Sequence, residues 1–261
     1  MRIDVNAFLG QYPFRRLPET APTALLQAMD RTGIDQAWVS HLSAIYWRDP
    51  TEGNATLYQA TAHESRLRPV PAVHPELPGW QEVLTEAVDR EAPCVRCDPA
   101  FYGLHPAGNE LRALARECGR RQIPLLMAVR LEDSRQRHPN DRTDTLAPWA
   151  VRALIRSDPA VRLIITHADR DFVDQVHFGS TPEEARRILW DICWVWGPPE
   201  EHLNQLIHTV GIDRFTFGTG MPMRLPEGAV CKLDLLDPTP DQRRAIESEN
   251  LQRHCRLTTD N

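Results

Sequence analysis

The sequence predicts an α/β protein built as a single (β/α)8 TIM barrel, and three observations carry that expectation. Apolar, β-rich runs alternate with stretches of helical spacing along the whole chain, which is the pattern of βα units around a parallel sheet. Eight such runs occur in order, which favours a closed ring over an open, doubly wound sheet. The 261 residues match the size of one barrel, so one domain over residues 1–261 is expected. No Gly-x-Gly-x-x-Gly follows any run, which removes the usual dinucleotide-binding alternative.

Taken in order, strand 1 covers residues 3–9, and a loop with two prolines leads to a helix over 21–32, where Leu25, Leu26 and Met29 share a face. Strand 2 covers 34–42 and its helix 54–65; strand 3 covers 67–74 and its helix 80–90. Strand 4 covers 93–98, followed by a helix over 109–121 with Leu111, Leu114 and Ala115 on one side. Strand 5 runs over 123–131 with a helix at 145–157, and strand 6, the clearest β-rich run, over 161–167. Strand 7 is expected at 187–194 with a helix at 199–210, strand 8 at 214–218, and a closing helix at 240–254.

The totals bound the function. A hydrophobic share of 41% and a charged share of 25% are ordinary for a globular chain long enough to bury its own core. The net charge of -6 argues against nucleic acid or an anionic membrane as partner. No run approaches the roughly 18–20 apolar residues that a membrane span needs, and Met1-Arg2 leads into a strand without a signal-like segment. Six scattered cysteines fit a reduced, cytoplasmic setting. Cys94 and Cys97, three apart in a strand, face opposite sides and make a poor metal or redox pair. Assembly into a homo-oligomer stays open.

Working residues in such barrels sit at the C-terminal ends of strands and in the loops that follow. That rule selects Asn6, Phe8, Ser40, His41, His74, Arg96, Asp98, Arg130, Glu132, Asp133, His167, Asp169, Asp191 and the corner from Thr219 to Met221.

Several of these places resemble the amidohydrolase-related (amidohydrolase family 2) TIM-barrel hydrolases and decarboxylases. Ile3-Asp-Val-Asn-Ala-Phe-Leu-Gly10 matches that family's Ile-Asp-x-His-x-His-x-Gly with Asn6 and Phe8 at the histidines. Gln122-Ile-Pro-Leu-Leu-Met-Ala128 resembles its strand 5 with Ala128 at a histidine, and Arg162-Leu-Ile-Ile-Thr-His167 keeps the strand 6 histidine. Gly211-Ile-Asp-Arg-Phe-Thr-Phe-Gly-Thr-Gly-Met-Pro222 resembles its strand 8 segment with Gly220 at the metal-binding aspartate, and Ser248-Glu-Asn250 resembles its closing asparagine. Tyr12-Pro-Phe-Arg15 and Arg130-Leu-Glu-Asp-Ser-Arg-Gln-Arg-His-Pro139 are similar to a divergent branch of the same family.

The resemblance implies the barrel and, of the usual metal ligands, leaves only His167. A catalytic zinc takes about three protein ligands, so no metal and no other cofactor is expected. The function implied is a hydrolase or decarboxylase acting on a small carboxylated molecule without the usual metal site. Arg130 and Arg96 would hold anionic groups, His167 would move a proton, and Glu132 or Asp133 would orient them. Asn6, Tyr12, His74 and Asp98 would complete the substrate site.

Bland readings stand beside these. The loop after strand 5 could be a salt-bridge network that pins the rim, and His74 and Asp98, each before a proline, could be turn residues. Tyr12, Phe14, Trp47, Phe101 and Tyr102 line a pocket or plug the mouth, while Trp190, Trp194 and Trp196 read as core. The pairs Arg15-Arg16, Arg120-Arg121 and Arg243-Arg244 read as solvated faces. A plugged mouth would favour the alternative function, a catalytically inactive barrel that binds a ligand or a protein.

Overall fold

The computed structural model describes residues 1–256 apart from 19, 107 and 198. Among the described residues eight parallel strands form the frame: β1 (Ile3–Leu9), β2 (Gln36–His41), β3 (Leu67–Pro69), β4 (Val95–Arg96), β5 (Leu125–Ala128), β6 (Leu163–Thr166), β7 (Ile188–Asp191) and β8 (Phe215–Thr216). The ladders run β1-β2-β3 and β4-β5-β6-β7-β8. Backbone hydrogen bonds join the two sets at both seams. Val73 N donates to Arg96 O (2.7 Å) and Arg96 N to Pro71 O (2.8 Å) on one side. On the other, Val5 N donates to Phe217 O (3.1 Å), Phe8 N to Met221 O (2.8 Å) and Gly220 N to Asn6 O (2.8 Å). The ring therefore closes.

The period of two in the strands decides what faces where. In β5, Leu125 and Met127 join the outer core under the helices, while Leu126 and Ala128 point inward. Leu163 and Ile165 in β6 face out, and Ile164 faces in. Both faces are buried, which is why these strands read as unbroken apolar runs. Cys94 falls in the inner cluster and Cys97 in the outer one, as their spacing predicts, and both are free thiols.

The ladders are shorter than the apolar runs. His74, Asp98, Leu131, His167 and Trp194 all lie past the last paired residue, where the chain turns outward at the mouth. Several helices lie beyond those the sequence predicts. Arg170–His177 fills the gap between β6 and β7, with the Asp169 side chain capping it by accepting from Phe172 N (3.0 Å). Pro226–Leu235 follows β8 and starts on a proline, as helix N-termini commonly do.

The closing helix is broken. Pro240–Arg244 and Asn250–Arg256 flank a π-turn at Ala245–Glu249. The wide turn frees Ile246 O to accept from Phe217 N (2.8 Å), and Asn250 Nδ2 donates to Ile212 O (2.8 Å) and Phe215 O (2.9 Å). These bonds anchor the last helix to β8 and so fix the loop that follows it.

The barrel interior has three levels. Ile3, Val5, Trp38, Val70, Cys94, Leu126, Ile164, Leu189 and Leu251 fill the bottom. A polar middle level holds Asp4, Asn6, Arg96, Asp98, His167 and Asp191, each no more than 2% exposed. Phe8, Tyr12, Leu17, Leu42, Ile45, Ala128, Leu131 and Met223 close the top as an apolar plug. Plugging is thus the outcome for Tyr12, whose ring meets Phe14 and Tyr46 edge-on and whose hydroxyl donates to Asp141 (2.8 Å). Trp47, by contrast, stays about half exposed.

Candidate active site

A register shift in β1 between Asp4 and Ala7 sets up the polar level. It allows Asn6 and Phe8 to point inward above Ile3 and Val5, a use of strand irregularity common beside functional sites. Asp4 pins β1 to β8: its carboxylate accepts from Thr219 N (3.0 Å), Thr219 Oγ1 (2.5 Å) and Asn6 N (2.9 Å). Burial outweighs those donors and pushes the Asp4 carboxyl up to about 6.

His167 sits one residue past β6 with φ of +59°, a left-handed conformation that costs a histidine of order 1 kcal/mol. Its ring is fully buried, and Nδ1 lies 3.2 Å from Asn6 Nδ2 and 3.2 Å from Thr166 Oγ1. The amide can only donate, so Nδ1 accepts and Nε2 carries the proton. Nε2 itself is buried with no hydrogen-bond partner. Burial, then Arg224, Arg96 and Arg130, hold the imidazole well below its ordinary range, so it stays neutral. Asp191, at the end of β7, receives His167 N (3.0 Å) and Asn6 Nδ2 (2.9 Å), and burial raises its carboxyl.

Arg96 and Asp98 are a buried pair at 2.5 Å, with the Arg96 guanidinium 4.7 Å above the Phe8 ring. Asp98 also accepts from Ala128 N (2.7 Å), which ties β4 to β5. His74 stacks on Tyr102 at 4.4 Å, and its Nδ1 accepts from Glu76 N (3.3 Å). These side chains brace the barrel from within.

An open cleft of about 640 Å3 lies to one side of the plug, over the loops that follow β5, β7 and β8. Glu132 and Asp133 form part of its wall, each held by an arginine: Arg15 on Glu132 at 2.5 Å and Arg135 on Asp133 at 2.7 Å. The other wall carries Trp194, Arg224 and Lys232. The Arg224 guanidinium stacks on the Trp194 ring at 3.6 Å, while Arg130 approaches that ring at 5.5 Å. Among the described residues Arg224 has no ion pair, and its Nε is buried without a hydrogen-bond partner. At 3.6 Å the guanidinium lies over the indole at the cleft wall, with no acid partner among the described residues.

The cleft thus joins Glu132, Asp133 and Thr219 of the sequence candidates but not the others. Arg96, Asp98, His74, Asn6 and His167 are buried beneath it, and Tyr12 belongs to the plug. Arg130 pairs with Asp169 at 2.8 Å, not with Glu132 or Asp133, because β5 ends at Ala128 and the chain leaves the alternation there. Arg15 is a cleft residue and no mere solvated charge. Trp190, edge-on to Phe172 at 6.2 Å, and Trp194, at 7% exposed, are buried as the sequence predicts, though Trp194 also lines the cleft, and only Trp196 is half-exposed. Arg224 escaped sequence reasoning: it follows the Gly220-Met-Pro corner without any motif of its own. Lys232 lies on a helix whose apolar positions keep no clear face.

The resemblance read from the sequence implies a divalent metal, and the residues present do not fit one. At the family's places, Phe8 is a buried ring and Ala128 offers no donor. A Cβ at Gly220 would stand 3.1 Å from His167 Nε2 at a φ of +72°, so an aspartate there would be strained and would crowd the imidazole. His167, Asp191 and Cys193 do bring ligand atoms within 4.8 Å of one another. Asn6 Nδ2 already lies among them, 3.2, 2.9 and 3.8 Å from Nδ1, Oδ2 and Sγ. The positive charge of Arg224 acts on His167 and Cys193 alike and opposes a cation.

No family model matches the sequence, and no curated protein matches it. Solved structures do. The 2,6-dihydroxybenzoate decarboxylase from Rhizobium superposes with a TM-score of 0.74 at 16% identity, covering 98% of this chain and 99% of that one. A dihydroxybenzoic acid decarboxylase from Polaromonas, solved with manganese and 2-nitroresorcinol, gives 0.71 at 14%, over 99% and 98%. A probable 2-pyrone-4,6-dicarboxylic acid hydrolase from Acinetobacter baumannii, with citric acid bound, gives 0.64 at 11%, over 97% and 98%. The chain therefore shares the fold of these decarboxylases and of this hydrolase over nearly its whole length. At these identities the likeness is one of fold. No helix among the described residues is long and apolar enough to cross a membrane.

Proposed function

We propose that this protein is an amidohydrolase-like enzyme, a hydrolase or decarboxylase, that acts on a small carboxylated molecule bound in the lateral cleft without the usual metal site. The observation that carries this reading is Arg224, a guanidinium with no acid partner among the described residues, set against Trp194 in a cleft large enough for a small ligand. Carboxylated substrates named for the fold's neighbours, among them 2,6-dihydroxybenzoate, support the choice of class. Arg224 would receive the carboxylate, and Glu132 and Asp133, fixed by Arg15 and Arg135, would face it as oriented acids. His167, one layer down, would act through its neighbours as a positioning residue rather than on the ligand. The six free cysteines fit a reducing setting such as the cytoplasm.

The plug at the centre favours a second reading, a barrel that binds its ligand without turning it over. Phe8, fully buried, occupies the axis where a reacting group would otherwise lie. Turnover separates the two. Aryl carboxylates and lactones are incubated with the protein, and CO2 release and ring opening are followed by mass spectrometry. The enzyme reading expects catalysis that Arg224→Met abolishes; binding of a carboxylate with no product across the panel would establish the second reading.

A further inference from the structure

Of the 30 lysine and arginine residues in the sequence, Lys232 is the one lysine. Every other basic position holds arginine, which does not give up its proton in proteins, whereas a buried lysine amine can. This lysine lies on the helix Pro226–Leu235 and lines the cleft beside Arg224 and Trp194. Its Nζ donates to Ile192 O at 2.7 Å and to Cys193 O at 3.2 Å. Two carbonyls match the two N–H bonds of a neutral amine and leave its lone pair unused. No carboxylate pairs with Nζ among the described residues, so no counter-ion holds the third proton in place.

We propose that Lys232 is a nucleophilic amine that forms an imine with the carbonyl carbon of a keto or aldehyde acid whose carboxylate rests on Arg224. The inference builds on the carboxylate reading above and adds the substrate class. Burial, the largest influence, and the nearby Arg224 bring the amine down to about 8, against the raising effect of Cys193 and Asp191. Dry surroundings and a cationic neighbour are what activate an amine at neutral pH.

The chemistry closes without a further reagent. The nitrogen lone pair forms the C–N bond, and the carbonyl oxygen leaves as water with one proton from the nitrogen and one from solvent. The product is an iminium cation. With a 3-oxo acid, the bond to the carboxylate carbon then breaks and its electron pair moves into the iminium to give an enamine, releasing CO2. Solvent protonates the enamine carbon, and one water hydrolyses the resulting iminium to a ketone, the free amine and a proton.

The single lysine makes the test unambiguous. The folded protein is incubated separately with acetoacetate, pyruvate and 3-formylbenzoate, reduced with sodium cyanoborohydride, and mapped by peptide mass spectrometry. At least one acid should add to Lys232, one per chain, and Arg224→Met should slow that labelling about tenfold or more, as losing a charge-assisted contact does. Lys232→Arg serves only as the blank for the mapping. Labelling confined to the α-amino group, or no label on Lys232 with all three acids, overturns the inference. Equal labelling in Arg224→Met overturns the anchoring it assigns to that arginine. If carboxylates bind in an Arg224-dependent way while Lys232 stays unlabelled, the carboxylate reading stands and the imine falls.

Discussion

Phe8→Ala should lower the unfolding free energy by about 3–5 kcal/mol, the usual range for truncating a large buried side chain. The ring is fully buried in the plug and carries the Arg96 guanidinium at 4.7 Å, so its loss opens a cavity and removes a cation–π contact together. Denaturant unfolding of parent and variant measures the difference. A change near zero would mean that the ring is not core, and the axis of the barrel would then be available to a ligand.

A second large effect belongs to Arg96. Replacing it with methionine keeps the stem but strands the Asp98 carboxylate, which is 2% exposed and would retain only its bond from Ala128 N. Breaking a buried pair from one side costs about 3–5 kcal/mol. Adding Asp98→Asn should recover much of that loss, because the neutral amide keeps an acceptor for Ala128 N without leaving a buried charge. If Arg96→Met is as stable as the parent and abolishes carboxylate binding instead, Arg96 is the anion site and Arg224 is not.

What the sequence could show follows from how local each signal is. Parallel strands buried on both faces leave apolar runs in a single segment, so β5 and β6 were legible. Their ends were not, because a ladder stops where its neighbour stops and one segment does not contain that information. His167 was found from its place at the end of β6. Its confinement beneath Trp194 and Arg224 depends on the loops after β7 and β8, which meet it only in the fold. The same holds for Arg130: continued alternation pointed it toward Glu132, yet the chain leaves the strand at Ala128 and Asp169 is the partner it meets. Gly220 was visible as a lost ligand, while its role in making room for His167 needed the 3.1 Å approach. Arg224 and Lys232 carried no motif, and tertiary placement alone gives them a shared wall.

The central claim is that the cleft beside the plug binds a carboxylate through Arg224, and ligand-induced stabilisation of parent and Arg224→Met tests it most directly. Benzoate, 2,6-dihydroxybenzoate and citrate are added across a concentration series while thermal unfolding is followed. A carboxylate present at a hundred times its dissociation constant should stabilise the parent by about 2.7 kcal/mol. Arg224→Met has no ion pair to lose among the described residues and should cost no more than the roughly 0.5–2 kcal/mol of its stacking on Trp194, while showing no such gain with ligand. Stabilisation of the variant equal to that of the parent, or no response of the parent to any of the three acids, would contradict the account.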